Sequence, residues 1–152
     1  MKSDKILEKA RGFDVWLTVG RTNLKVHRTL NLALGELGLS LAQHEILLAI
    51  RQTSGLTQKQ LSEKLLVVKS NVSALIKKLE GRGLVLREPD PSDTRNRLLS
   101  LTKAGRDLVQ ESLARQNEII DAMASVMSDE ELVKTGEVMR RVSEAIDQLQ
   151  QE

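Results

Sequence analysis

The 152-residue sequence predicts a mainly α-helical fold with one small β-hairpin, and three observations carry that expectation. Aromatic residues are nearly missing: there is one Trp, one Phe and no Tyr. The core must then be built from Leu, Ile, Val, Ala and Met, which suits packed helices better than aromatic-rich sheets. Apolar residues recur at three- and four-residue steps along most of the chain. One stretch, residues 84–101, breaks that period and reads as two short strands around a polar tip.

The elements follow in order. From about Lys5 to Leu37 the stripe Ile6, Ala10, Phe13, Leu17, Leu24 predicts a helix, continued by Leu30, Leu34 and Leu37, with Gly20 and Arg21 reading as a break in it. Gly35 and Gly38 mark its end. Ser40 and Gln43 have the spacing of a capping box and open a second helix carrying Ile46, Leu47, Leu48 and Ile50. Thr57 and Gln60 repeat the signature ahead of Leu61 and Leu65. After Val67 and Val68, a further helix starting near Lys69 carries Val72, Leu75, Ile76 and Leu79 inward and stops at Gly81 and Gly83. Two short helices joined by a few residues have helix-turn-helix spacing. Leu84-Val85-Leu86 and Leu98 to Leu101 form the hairpin strands, with a turn-rich tip between them. A helix-turn-helix followed by a hairpin is a winged helix. Thr102 caps the next helix, and Ser128 with Glu131 opens the last one. There Leu132, Met139 and Ile146 lie seven apart, as do Val142 and Leu149, a seam too short to stand as a free coiled coil. Such terminal helices need partners, and the first helix and a second copy of the chain supply them.

Charge divides by position. Residues 51–106 hold 12 Lys/Arg against 5 Asp/Glu, whereas residues 107–152 hold 4 against 11. A basic middle between near-neutral and acidic ends is what a segment facing a polyanion requires. In a helix-turn-helix the second helix enters the major groove, with its N-terminal residues nearest the bases. Here its outward positions are Lys69, Ser70, Asn71, Ser73 and Lys77. Asn can pair bidentately with adenine, Ser with several base edges, and Lys with guanine or phosphate. Thr57 and Gln58, at the start of the preceding helix, can meet a phosphate. At the hairpin tip Arg95 and Arg97 can reach the minor groove, with Asp93 bracing Arg95.

At this point the chain resembles the MarR family of bacterial regulators over nearly its whole length. The sharpest element is Asp90 to Gly105, DPSDTRNRLLSLTKAG, supported by GLSLAQHEILLAI, LTQKQLSEKL and KKLEGRGLVLRE. The resemblance implies a single unit over residues 1–152. In it, residues 1–37 and 103–152 are dimerisation helices, and residues 40–102 are a winged helix-turn-helix DNA-binding lobe. It implies a homodimer on a pseudopalindromic operator of double-stranded DNA, usually as a repressor, with recognition helices roughly 34–36 Å apart. It carries over Asp93 and Arg95 as wing-tip residues and Ser70, Asn71 and Ser73 as recognition positions. Two departures stand out: Val68 where a polar cap is frequent, and Ala74 where a basic residue is common. The resemblance further implies release by a small aromatic or phenolic acid, for which Trp16, His27 and His44 are pocket candidates, with Arg21 and Arg28 able to receive its carboxylate.

Other classes are poorly supplied. The sequence has no Cys, which removes thiol catalysis and thiol sensing. Two His, no metal-ligand spacing and no glycine-rich phosphate loop leave neither a metal site nor an enzyme to build, and no cofactor is expected. No apolar signal core opens the chain and no stretch reaches membrane-span length, so a cytoplasmic protein without membrane contact is expected. The rival reading is a winged-helix protein-interaction module, or an antirepressor without specific DNA binding. What separates the two is whether the basic residues gather on one face with the polar side of the recognition helix. RNA binding ranks third, for want of exposed aromatics to stack single strands.

Overall fold

The computed structural model describes residues 10–65 and 71–149. The order is α1 (Phe13–Glu36), α2 (Leu41–Gln52), β1 (Leu56–Thr57), α3 (Gln58–Lys64), α4 (Val72–Gly81), β2 (Val85–Pro89), β3 (Arg97–Leu101), α5 (Lys103–Ala124) and α6 (Asp129–Leu149). The chain divides into two compact units, residues 1–112 and 113–152. No single described helix is long and apolar enough to cross a membrane.

The first unit is organised around one aliphatic core. Leu34 of α1, Ile46, Leu47 and Ile50 of α2, Leu61 of α3, Ile76 and Leu79 of α4, Leu99 of β3 and Val109 of α5 are all buried. Each such side chain stabilises the fold by about 1.5–3 kcal/mol. The predicted capping boxes form. Ser40 Oγ accepts from the Gln43 N–H at 3.1 Å while Gln43 Oε1 accepts from the Ser40 N–H at 3.0 Å. Thr57 and Gln60 make the same pair of bonds at 3.2 and 3.0 Å.

Four expectations need correction. Helix α1 begins at Phe13 after Gly12, whose φ of 85° stops it, and it runs through Gly20 and Arg21 without a break. A lone glycine costs a helix only about 1 kcal/mol, which packing elsewhere offsets. The hairpin sheet has three strands in the order β1-β3-β2, because Leu56 and Thr57 pair with Leu99 and Leu98. Strand β2 extends through Arg87, Glu88 and Pro89, which read as loop, with Pro89 opposite Arg97. Helix α4 starts at Val72, so Asn71 is its cap and not its third residue. Lys5, Ile6 and the Val67-Val68 pair lie outside the described residues.

One polar pair interrupts the core. His44 of α2 is 2% exposed, and its Nδ1 lies 3.0 Å from Oγ of the fully buried Ser112 of α5. Because that hydroxyl donates to the Val109 carbonyl at 3.0 Å, it accepts from His44, placing the ring proton on Nδ1. Ser112→Ala would strip that buried N–H of its acceptor. The expected loss is about 1–3 kcal/mol, seen as a lower urea midpoint at unchanged slope.

The second unit is the distal part of α5 and all of α6. Ser128 caps α6, its Oγ accepting from the Glu131 N–H at 3.3 Å while a Glu131 carboxylate oxygen accepts from the Ser128 N–H at 2.8 Å. Those bonds from Ser128, backbone first, hold the Glu131 carboxyl below its ordinary range. None of α6 is buried. Leu132, Met139, Val142, Ile146 and Leu149 form an exposed apolar stripe along it.

Candidate nucleic-acid interface

The two-residue strand β1 does the positioning. Its pairing with β3, supported by the Gly55 N–H donating to the Leu99 carbonyl at 3.1 Å, sets the start of α3 against the base of the hairpin. Thr57, Gln58, Lys59, Arg87, Arg95, Asn96 and Arg97 therefore line one open cleft of about 490 Å³. Among the described residues its cations are Lys59, Arg87, Arg95 and Arg97, and Glu63 is its one carboxylate.

The hairpin tip is held by two Asx turns in succession. Asp90 Oδ1 accepts from the Ser92 N–H at 2.8 Å and from its hydroxyl at 2.7 Å. Asp93 Oδ1 accepts from the Arg95 N–H at 3.1 Å. The Arg95 guanidinium then grips the same carboxylate bidentately, Nε to Oδ1 and Nη2 to Oδ2, both at 3.0 Å. Yet Arg95 remains 89% exposed, so it is aimed without being covered. The Arg95 guanidinium, and after it the Arg95 N–H, hold the Asp93 carboxyl below the ordinary Asp range. At Asp90 the Ser92 bonds act in the same direction.

Part of the basic excess of the middle segment is engaged within the fold and part is not. Arg82 donates to the Gly38 carbonyl at 2.8 Å and Arg106 to the Leu101 carbonyl at 2.8 Å. Arg87 pairs with Glu80 at 2.9 Å, joining α4 to β2, and Lys103 with Asp107 at 2.7 Å. These cations have partners within the chain, and of the two ion pairs only Arg87–Glu80 is half-buried. Lys59, Lys77, Lys78 and Arg97 are exposed and have no ion-pair partner among the described residues. These, with Arg95, lie on the wing, α3 and α4; Arg51 and Lys64 are likewise exposed without an ion-pair partner among the described residues.

On α4, Val72, Ile76 and Leu79 are buried and Leu75 half-buried, while Asn71, Ser73, Lys77 and Lys78 are exposed. Lys69 and Ser70 lie outside the described residues. Sequence reasoning missed Lys78, which is exposed on α4 next to the expected Lys77. It also missed Lys59, Arg87 and Asn96, whose place in the cleft depends on the unforeseen β1–β3 pairing.

The three effector candidates are not brought together. His44 is in the core with Ser112. Trp16 is 68% exposed, its ring centroid 5.6 Å from that of Phe13 at the start of α1. His27 is half-buried beside Leu24, Lys25 and Arg28 on a shallow groove of α1.

Comparison with known proteins agrees with this geometry. The MarR family model matches residues 39–96. An HTH-type transcriptional regulator of Bacillus cereus, itself uncharacterized, is 30% identical over 132 residues, covering 84% of this chain and 86% of that one. The HTH-type transcriptional regulator MhqR of Bacillus subtilis is 23% identical over 132 residues, covering 87% and 91%. A mutant MarR from E. coli complexed with operator DNA superposes with a TM-score of 0.74 at 22% identity, covering 89% of this chain and 99% of that one. Its fold, its family model and its relatives agree: the chain belongs to the MarR family of winged helix-turn-helix, DNA-binding transcriptional regulators.

Proposed function

We propose that the chain is a sequence-specific regulator that binds a pseudopalindromic operator in double-stranded DNA as a homodimer and represses transcription there. The observation that carries this reading is the cleft in which the wing arginines, Thr57 and Gln58 meet. A duplex phosphate in that cleft would meet Lys59, Gln58 and Arg97, while Arg95 extends along the minor groove. The exposed residues of α4, and Lys69 and Ser70 before it, then address the major groove. The Thr57 side chain is engaged in its capping box, so its part is to aim Gln58. Residues 40–102 act as the DNA-binding lobe and residues 1–37 and 103–152 as the dimerisation helices. The exposed stripe on α6 supports that division, because a second copy would cover it. Release by an aromatic or phenolic acid is part of the same reading. Its best-supported seat is the His27 groove, where Lys25 and Arg28 offer two cations to a carboxylate.

Duplexes selected from a random pool, measured by fluorescence anisotropy over about 50–200 mM salt, test the reading. Expected are a selected site bound at least ~10³-fold tighter than scrambled duplex and a steep loss of affinity with salt. Light scattering should give twice the 17.0 kDa chain mass. Sequence-blind binding would instead favour the protein-interaction module.

A further inference from the structure

Polar caps in this molecule are put to use: Ser40, Thr57, Thr102 and Ser128 each accept a backbone N–H at the start of a helix. Asn71, the cap of α4, does not. Its backbone is left-handed, at φ 61° and ψ 22°, and its side chain makes no cap hydrogen bond. Side-chain capping needs the extended backbone that Ser40 and Thr57 have, which points the oxygen back at the helix N–H groups. Asn71 is also the one non-glycine residue with positive φ among the described residues. Its amide therefore stands exposed, with no hydrogen-bond partner among the described residues.

The neighbours sharpen the point. Behind Asn71 on α4, Ser73, Lys77 and Lys78 are exposed, Ala74 and Leu75 are half-buried, and Val72, Ile76 and Leu79 are buried. Ala74 offers no polar group, and the lysines carry donors only. Among the exposed described residues, Ser73 has a single hydroxyl to give or receive a hydrogen bond, whereas the Asn71 amide holds a separate donor and acceptor side by side. That is the pattern adenine presents in the major groove, an N6 amino donor beside the N7 acceptor.

We infer that Asn71 is a specificity-determining residue that selects an adenine in each half-site, Oδ1 accepting from N6 and Nδ2 donating to N7. This rests on the proposed DNA-binding reading and adds the base and the residue to it. The left-handed backbone is the device that withholds the amide from capping. A purely structural role would have Asn71 there only because Asn tolerates this conformation, and glycine tolerates it better.

The test selects sites from a random duplex pool with the wild-type chain, Asn71→Gly and Asn71→Asp, each first checked for an unchanged thermal melt. The wild type should prefer adenine about 10- to 100-fold at one position per half-site. Asn71→Gly should lose that preference and keep the others. Asn71→Asp, an acceptor without a donor, should shift it toward cytosine, whose N4 amino group it can receive. Replacing that adenine with 7-deazaadenine should weaken the wild type and leave Asn71→Gly unaffected. An Asn71→Gly variant that selects the same base as strongly overturns this inference and leaves the DNA-binding reading standing. A wild type that selects no site at all brings down both.

Discussion

Replacing Gly105 with Ala is expected to destabilise the first compact unit, residues 1–112, by about 3 kcal/mol or more. Helix propensity alone argues the reverse, since Gly to Ala within a helix gains up to about 1 kcal/mol. Sterics decide the sign. A Cβ at Gly105 would lie 2.0 Å from the Leu84 carbonyl oxygen and 3.0 Å from its carbon, and both are backbone atoms that no rotamer change can move aside. That carbonyl also accepts from the Thr102 N–H at 3.1 Å. The Thr102 hydroxyl in turn donates to the Gly83 carbonyl at 2.6 Å and accepts from the Gly105 N–H at 2.9 Å. Moving α5 off Leu84 therefore breaks the helix cap and shifts the buried Leu84-Val85 pair together. Overpacking a tight contact costs about 1–3 kcal/mol, and more when backbone must yield. Urea denaturation followed by circular dichroism measures it; an unchanged or raised midpoint would refute the close approach.

The double substitution Arg95→Ala, Arg97→Ala should lower affinity for a selected operator by at least about 100-fold while leaving the fold intact. Each arginine placed on phosphate or in a groove is worth about 1–3 kcal/mol, and each phosphate contact removed lowers the salt slope by about 1. Both side chains are exposed, so their loss uncovers no core. A purely steric wing would instead lose little affinity and keep its slope. Asp93→Ala should produce part of the same loss by freeing the Arg95 guanidinium to wander. Because Arg95 holds the Asp93 carboxyl below its ordinary value, the brace is fully present above the usual Asp range. It disappears only as pH falls through that lowered value. Operator affinity across neutral pH should accordingly show no titration from Asp93.

What could be read in advance was set by short-range rules. Three capping boxes announce themselves by a three-residue spacing, and the α6 stripe by a seven-residue one, so each was visible locally. What escaped depends on residues far apart. Strand β1 is two residues long, too short to alternate, and exists only because Leu99, more than forty positions later, pairs with Leu56. Arg87 read as loop because it is charged, yet Glu80, a partner on another element, lets it sit half-buried in a strand. His44 stood out as a rare residue, and its rarity concealed a core role that only the distant Ser112 explains. Asn71 carried the right chemistry, but no periodicity foretells a left-handed cap.

The position of Trp16 has a spectroscopic consequence. It is the molecule's only tryptophan, there is no tyrosine, and it stands 68% exposed beside Phe13 at the start of α1. Intrinsic fluorescence is thus expected to be deaf to the aliphatic core: the first unit can melt while the emission of an already exposed indole barely changes. The same indole is a resident reporter for whatever covers the first turn of α1. A blue shift that grows with protein concentration would register a second copy arriving there, with no label added and the wing and α4 untouched.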